Sequence, residues 1–309
     1  MKETESLEPL SPGDDLGPYR IHRRLRSPPG TELYQVGDRR NPEILLMRLE
    51  VFVPEPDEIG FFNIRWDEVR LFTRFMHPRV LRLLELGSEG RRYYAAMPWI
   101  SARSLLACLE DDRGLPWPVD AALSVGRDVA LGLGALHRWT LDGRPMQVVY
   151  RAVSPESLLI SARGDALLRP APLAVSLFPM RVLTLERLHH VAPEETRGLP
   201  LTPAADVASL GSVLYRLLSA IHPYRAPSQL ESLKLAMEGR STPLRSIRSD
   251  VPEPVAQLVH RMMAVDPSER PVNGEAAAQA IEDTAAELGI PLSAQVVRRA
   301  RRRMSLHWQ

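Results

Sequence analysis

Lysine occurs at only two positions in this 309-residue chain, Lys2 and Lys234. Every other basic side chain able to meet a phosphate is arginine or histidine. Arginine does not titrate and is a poor substitute for a compact ammonium, so any step that needs a lysine must use one of those two. Cys108 is the single cysteine, which excludes an internal disulfide and a cysteine-based metal cluster. Its setting within Leu105–Leu109 reads as a helix face carrying an inert, partly buried thiol. His189 and His190 are adjacent imidazoles with no further ligand evident nearby, so they read as a solvated loop pair and no metal is expected. Glu32, Glu68, Glu156 and Asp165 are candidate acids. Five arginines in six positions (Arg298, Arg299, Arg301, Arg302 and Arg303) could meet phosphates, anionic lipid or an acidic protein surface, or form a solvated face.

The elements that must position these groups fall into two sets. Net charge is +1, with 44% apolar and 25% charged residues, so the chain can bury a sizeable core and has no global pull toward nucleic acid or membrane. The first residues form no secretory h-region and no run reaches the ~18 apolar residues of a membrane span, which points to the cytoplasm. Residues 1–16 read as a flexible acidic leader. Over residues 17–97, strand patterns at Tyr19–Arg26, Glu32–Asp38, Glu43–Glu50, Val80–Leu86 and Arg92–Met97 surround a helical pattern at Asp57–Phe75. Over residues 98–288 the chain turns helical, at Val119–Trp139, Thr202–Ser219, Leu230–Glu238, Pro252–Ala264 and Gly274–Leu288. Short strands are expected at Gln147–Val149, Leu158–Ile160 and Ala166–Leu168, and residues 289–309 form a basic tail with a helix over Ala294–Met304. The fold class is therefore α+β: a five-stranded antiparallel lobe with one helix, then a mainly helical lobe.

Four strings in order resemble the eukaryotic-like Ser/Thr protein kinases of bacteria. Val191-Ala192-Pro193-Glu194 resembles the Ala-Pro-Glu end of the activation segment. Asp206 to Gly211 resembles the start of the central helix of the second lobe, and Asp266 to Pro271 the Asp-Pro-x-x-Arg-Pro string. His77-Pro78 follows Glu68 at the spacing of the family's helix-C glutamate. The resemblance covers about Gly17 to Leu288. It implies a two-lobed kinase-like fold, a Glu194–Arg270 pair, Asp206 holding the catalytic-loop backbone, and frame roles for Glu68 and Arg151.

At the chemical positions the sequence departs from that pattern. The three phosphate-loop glycines correspond to Arg26, Pro28 and Thr31, and proline has no N–H to offer a phosphate. The strand lysine corresponds in the preferred register to Met47, with Leu45 filling adenine space; a shift by one instead sets Arg48 opposite Glu68. Leu33, Leu45 and Leu159 would line the cleft. Ala152 replaces the catalytic aspartate, Ser154 the lysine, Ser157 the metal-binding asparagine, and Pro170 the metal-binding aspartate. Ala171 replaces the aromatic between Tyr150, Phe72 and Leu83, a gap that neighbouring side chains should fill. The apolar stretch Leu173–Leu185 could pack into the cleft or present a partner surface, and Thr184 is its obvious phosphoacceptor.

The resemblance thus implies a degenerate kinase, or pseudokinase, without metal or nucleotide cofactor. It would work as a scaffold or allosteric partner of another kinase or a signalling or assembly protein. Two alternatives stay open: residual ATP binding or a noncanonical transferase, and an anionic-surface adaptor using the arginine tail, with peripheral membrane contact but without a nucleic-acid platform.

Overall fold

The computed structural model describes residues 8–25, 27, 31–44, 46–55, 58–112, 114–170 and 185–306, in two compact units. The expectations placed on Arg26, Pro28, Leu45, Ala171, Pro172 and 173–184, Thr184 included, lie outside the described residues.

The first unit is built on a six-stranded antiparallel sheet of order β1-β2-β3-β4-β6-β5, where the sequence pattern shows five strands. The strands are β1 Asp15–Leu16, β2 Tyr19–Leu25, β3 Glu32–Asp38, β4 Met47–Phe52, β5 Glu85–Glu89 and β6 Arg92–Pro98. β1 belongs to the stretch read as leader. Leu16 is buried beside Tyr19 and Ile21, and the Leu10 N–H donates to the Tyr34 hydroxyl at 2.9 Å. Over residues 8–16, then, the leader is packed chain: two apolar anchors at Leu10 and Leu16 outweigh its acidic composition.

β4 starts at Met47 and extends to Phe52, later than the pattern over Glu43–Glu50. It is buried on both faces, which explains its nearly continuous apolar run. One face carries Met47, Leu49 and Val51 into a cluster with Tyr34, Val36 and Tyr94. The other carries Arg48, Glu50 and Phe52, since side chains alternate along a strand. Helix α1 (Ile59–Arg70) covers this second face: Trp66 packs edge-on against Phe52 at 6.0 Å and Tyr93 at 5.4 Å. The expected strand at Val80–Leu86 is displaced to β5.

Among the described residues, the second unit holds 77–80, 101–170 and 185–306. Its helices are α2 Leu105–Asp111, α3 Val119–His137, α4 Leu185–Leu188, α5 Pro193–Thr196, α6 Pro203–Ser219, α7 Gln229–Glu238, α8 Leu244–Ile247, α9 Glu253–Met262, α10 Gly274–Glu287 and α11 Ala294–Leu306. β7 Ala102–Ser104, β10 Leu158–Ser161 and β11 Ala166–Leu168 form a small sheet, and β8 Thr140–Leu141 pairs with β9 Arg144–Pro145. No strand forms at Gln147–Val149; Gln147 there takes a left-handed φ of 48°. The His77-Pro78 turn is fixed by Arg79, whose guanidinium meets Asp165 at 2.8 Å and buried Asp128 at 3.1 Å.

α3 and α10 touch backbone to backbone. A Cβ on Gly134 would sit 2.7 Å from the Glu275 nitrogen, so only glycine permits this crossing. The basic tail helix α11 docks on its own unit through Val296, Val297 and Ala300, all buried. Its approach is pinned by Arg127 donating to the Leu292 carbonyl at 3.1 Å and by the Ser293 N–H donating to Ser124 Oγ at 3.1 Å. Arg298, Arg299, Arg302 and Arg303 stay exposed on the opposite face, while Arg301 is half-buried.

Cys108 is fully buried on α2, more deeply than expected, and burial pushes its thiol from 9.0 up to about 11. Thiolate is the reactive form, and two pH units remove about 99% of it. Labelling of the native chain by a thiol reagent near neutral pH is therefore expected to run at least about 100-fold slower than in denaturant. Equal rates in the two conditions would show that α2 opens freely.

Candidate catalytic loop and its supporting frame

The segment Tyr150–Ser157 is held from below by one carboxylate. Asp206, 1% exposed in the first turn of α6, accepts the Tyr150 N–H at 2.7 Å and the Arg151 N–H at 2.7 Å. Two successive N–H groups can converge on one carboxylate because Arg151 takes a left-handed φ of 63°, a strained state for a non-glycine residue. A third partner, His137 at the end of α3, lies with Nε2 2.9 Å from Asp206 Oδ2. Its Nδ1 accepts the Gly274 N–H at 3.0 Å, so the proton sits on Nε2 and is donated to Asp206. One acid thereby ties the loop to α3, α6 and α10. The Asp206 role matches the sequence reading; His137 was missed, because nothing in the sequence marks a histidine so distant from the loop and the acid it serves.

The loop's own side chains are spent on its shape. Ala152 and Ser154 are buried. Ser157 Oγ accepts the Ser154 N–H at 3.1 Å and faces the Ala152 and Ser154 carbonyls at 2.6 and 3.0 Å. Tyr150 donates its hydroxyl to the Arg169 carbonyl at 3.2 Å, and the next residue, Pro170, is buried and offers no ligand atom. Leu159, fully buried on β10, is opposite Ser104 and Leu167. The Arg151 guanidinium is exposed; its carbonyl is taken by Arg187, which also pairs with Glu195 at 3.0 Å. Burial raises the Glu195 carboxyl above its usual range, and the Arg187 charge opposes that rise. Arg187 and Glu195 were not singled out by sequence reasoning, since neither occupies a motif position.

A second frame contact is Glu194–Arg270. The guanidinium binds both carboxylate oxygens, at 2.7 and 2.8 Å, with both side chains buried. It also donates to the carbonyls of Ala264, Ala204 and Val265 at 2.7, 3.0 and 3.1 Å, so all of its donor directions are used.

In the first unit the register corrects the preferred assignment of Met47. Met47 is 3% exposed and lies in the apolar cluster, on the face away from α1. Arg48 occupies the face that α1 covers, with Gln35 and Met97 as its cross-strand neighbours. Glu68, expected inside the frame, is exposed on α1, whose buried residues include Trp66 and Val69. Leu33 and Thr31 are buried on or beside β3. The expected solvated pair His189-His190 is also corrected: His190 is 1% exposed, and its Nδ1 is hydrogen-bonded with Ser212 Oγ at 2.7 Å.

Comparison with known proteins agrees with this frame. The family described as protein kinase domain matches residues 57–283, most of the chain. This chain belongs to the protein kinase family. The chain is 29% identical over 281 residues to the tyrosine-protein kinase MasK of Myxococcus xanthus, covering 86% of this chain and 43% of that protein. It is 29% identical over 229 residues to the serine/threonine-protein kinase PknL of Mycobacterium tuberculosis, covering 72% of this chain and 55% of the relative. The chain thus spans about half the length of these relatives. Among solved structures, the Mycobacterium tuberculosis PknI kinase domain superposes with a TM-score of 0.69 at 19% identity, covering 90% of this chain and all of that one, which bears on fold alone. Among the described residues no helix is long and apolar enough to cross a membrane.

Proposed function

We propose that this bacterial-type kinase domain is catalytically inactive, a pseudokinase that acts in the cytoplasm as a scaffold or allosteric partner of another protein. The observation carrying this reading is the loop held by Asp206. It is built as a kinase catalytic loop is built, yet the acceptor-handling position is Ala152 and the Ser157 hydroxyl is bonded inside the loop. A missing general base typically costs ~10²–10⁴ in rate. Phosphoryl transfer relies on metal and cation stabilisation of the phosphates, and Pro170 contributes none. The exposed arginines of α11, anchored by a buried apolar face, are the surface we assign to an acidic partner.

A second reading, residual nucleotide binding, is favoured by one observation. Arg48 lies on the α1 side of β4, where a cation facing a phosphate would be required. MasK and PknL are themselves named as kinases. Thermal melting with ATP, alone and with Mg²⁺ or Mn²⁺, separates the two. The pseudokinase is expected to melt within about 1 °C of the ligand-free protein, since a ligand that is not bound adds no stability. A metal-dependent rise of several degrees overturns the nucleotide-free reading, and transfer of labelled phosphate to protein overturns inactivity.

A further inference from the structure

Glu186 on α4, His190 just after it and His222 beyond α6 bring one carboxylate and two imidazoles together, with candidate ligand atoms all within 4.8 Å of one another. His190 Nε2 is 3.2 Å from Glu186 Oε1, and His222 Nε2 is 3.7 Å from Glu186 Oε2. Ligand atoms around a tetrahedral zinc ion, at bond lengths near 2.0–2.1 Å, lie roughly 3.3 Å apart. The two contacts to Glu186 are close to that spacing, and small side-chain adjustments would bring the three ligand atoms onto one ion.

The His190 ring is oriented by the contact its other nitrogen makes. Ser212 Oγ lies 2.7 Å from His190 Nδ1 and 2.8 Å from the Ser209 carbonyl, and this contact aims Nε2 at Glu186. With its proton on Nδ1, toward Ser212, the ring offers the Nε2 lone pair to a metal ion. Arg216 is ion-paired to the same carboxylate oxygen and holds it in place beside the two rings. His222 faces the same carboxylate from the loop after α6. Its Nδ1 has no hydrogen-bond partner among the described residues, and His189 stacks on its ring at a centroid distance of 4.0 Å.

We propose that Glu186, His190 and His222 bind a divalent zinc ion, with a fourth position open to water or a partner's side chain. Ser212 is the outer partner that fixes the His190 ring, and Arg216, ion-paired to Glu186, orients the carboxylate. Such outer partners accompany metal ligands as a rule. The ion would tie α4 and the approach to Val191-Ala192-Pro193-Glu194 onto α6 and the loop after it. This reading does not depend on whether the kinase is active.

The test uses the full chain, stripped with a chelator, titrated with Zn²⁺ by calorimetry and with Co²⁺ by visible absorption. The expected result is one equivalent bound, a tetrahedral cobalt spectrum, and a higher melting temperature with Zn²⁺. His190 is buried, and its replacement would disturb packing. H222Q and E186Q, at partly exposed positions, are therefore the informative variants. Each is expected to bind Zn²⁺ about 100-fold more weakly and to lose the zinc-dependent rise in melting temperature. Absence of saturable binding, an octahedral cobalt spectrum, or equal affinity in wild type and both variants would overturn the proposal.

Discussion

Replacing Arg270 with methionine is expected to destabilise the kinase by about 3–5 kcal/mol, read from chemical denaturation at 25 °C. Domains of ordinary stability have about 5–15 kcal/mol in total, so this one change removes a large share. The loss follows from what remains behind. R270M leaves the Glu194 carboxylate buried without its cation, and it strands three carbonyls, those of Ala264, Ala204 and Val265. E194Q leaves the guanidinium still bonded to those three carbonyls and facing an amide oxygen, so its cost should be smaller. The double variant E194L/R270M removes the stranded charge and is expected to be more stable than R270M alone. A loss below about 1 kcal/mol for R270M would mean that water reaches the site and solvates the orphaned groups.

Asp206→Ala is expected to be nearly as damaging, but by a different route. It leaves three donors without a partner: the Tyr150 and Arg151 N–H groups and His137 Nε2. Each buried unsatisfied donor costs about 1–3 kcal/mol, giving roughly 3–5 kcal/mol for the set once some relaxation is allowed. The variant should also release the left-handed Arg151, whose strain is tolerated only while both N–H groups are held. Hydrogen exchange distinguishes this from general weakening. Amides of 150–157 should lose protection first, while α6 and α3 keep theirs. D206N should fall between wild type and D206A, because its amide retains one acceptor oxygen and turns an N–H₂ toward the remaining donors. Uniform loss of protection across the second unit would contradict a loop-specific role.

Much of the second unit was legible in the sequence. The helices at 119–137, 203–219 and 274–287 were read to within a residue or two, because long apolar periodicity and Gly or Pro punctuation mark them directly. Asp206, Glu194 and Arg270 were assigned correctly, since their partners follow from motif order. The readings at Ala152, Ser154, Ser157 and Pro170 rest on residue identity at the positions that the family resemblance implies.

Other features depended on the tertiary structure. Whether Met47 or Arg48 faces α1 is a question of register, and a one-residue slip exchanges the two faces without changing any pattern in a strand buried on both sides. The order of residues 8–16 came from Leu10 and Leu16 finding a pocket in the sheet, which an acidic local composition conceals. The tail helix was legible as basic, but its docking depends on a small-residue approach at Gly164, where an added Cβ would collide with the Ala294 carbonyl. His190 and Glu186 share a turn, yet His222 joins them only because α6 carries the chain back beside α4. Residue types and their order thus marked the positions on which the proposed inactivity rests. Long-range packing decided which side chains meet, because burial and hydrogen-bond satisfaction are set by neighbours that are distant in the chain.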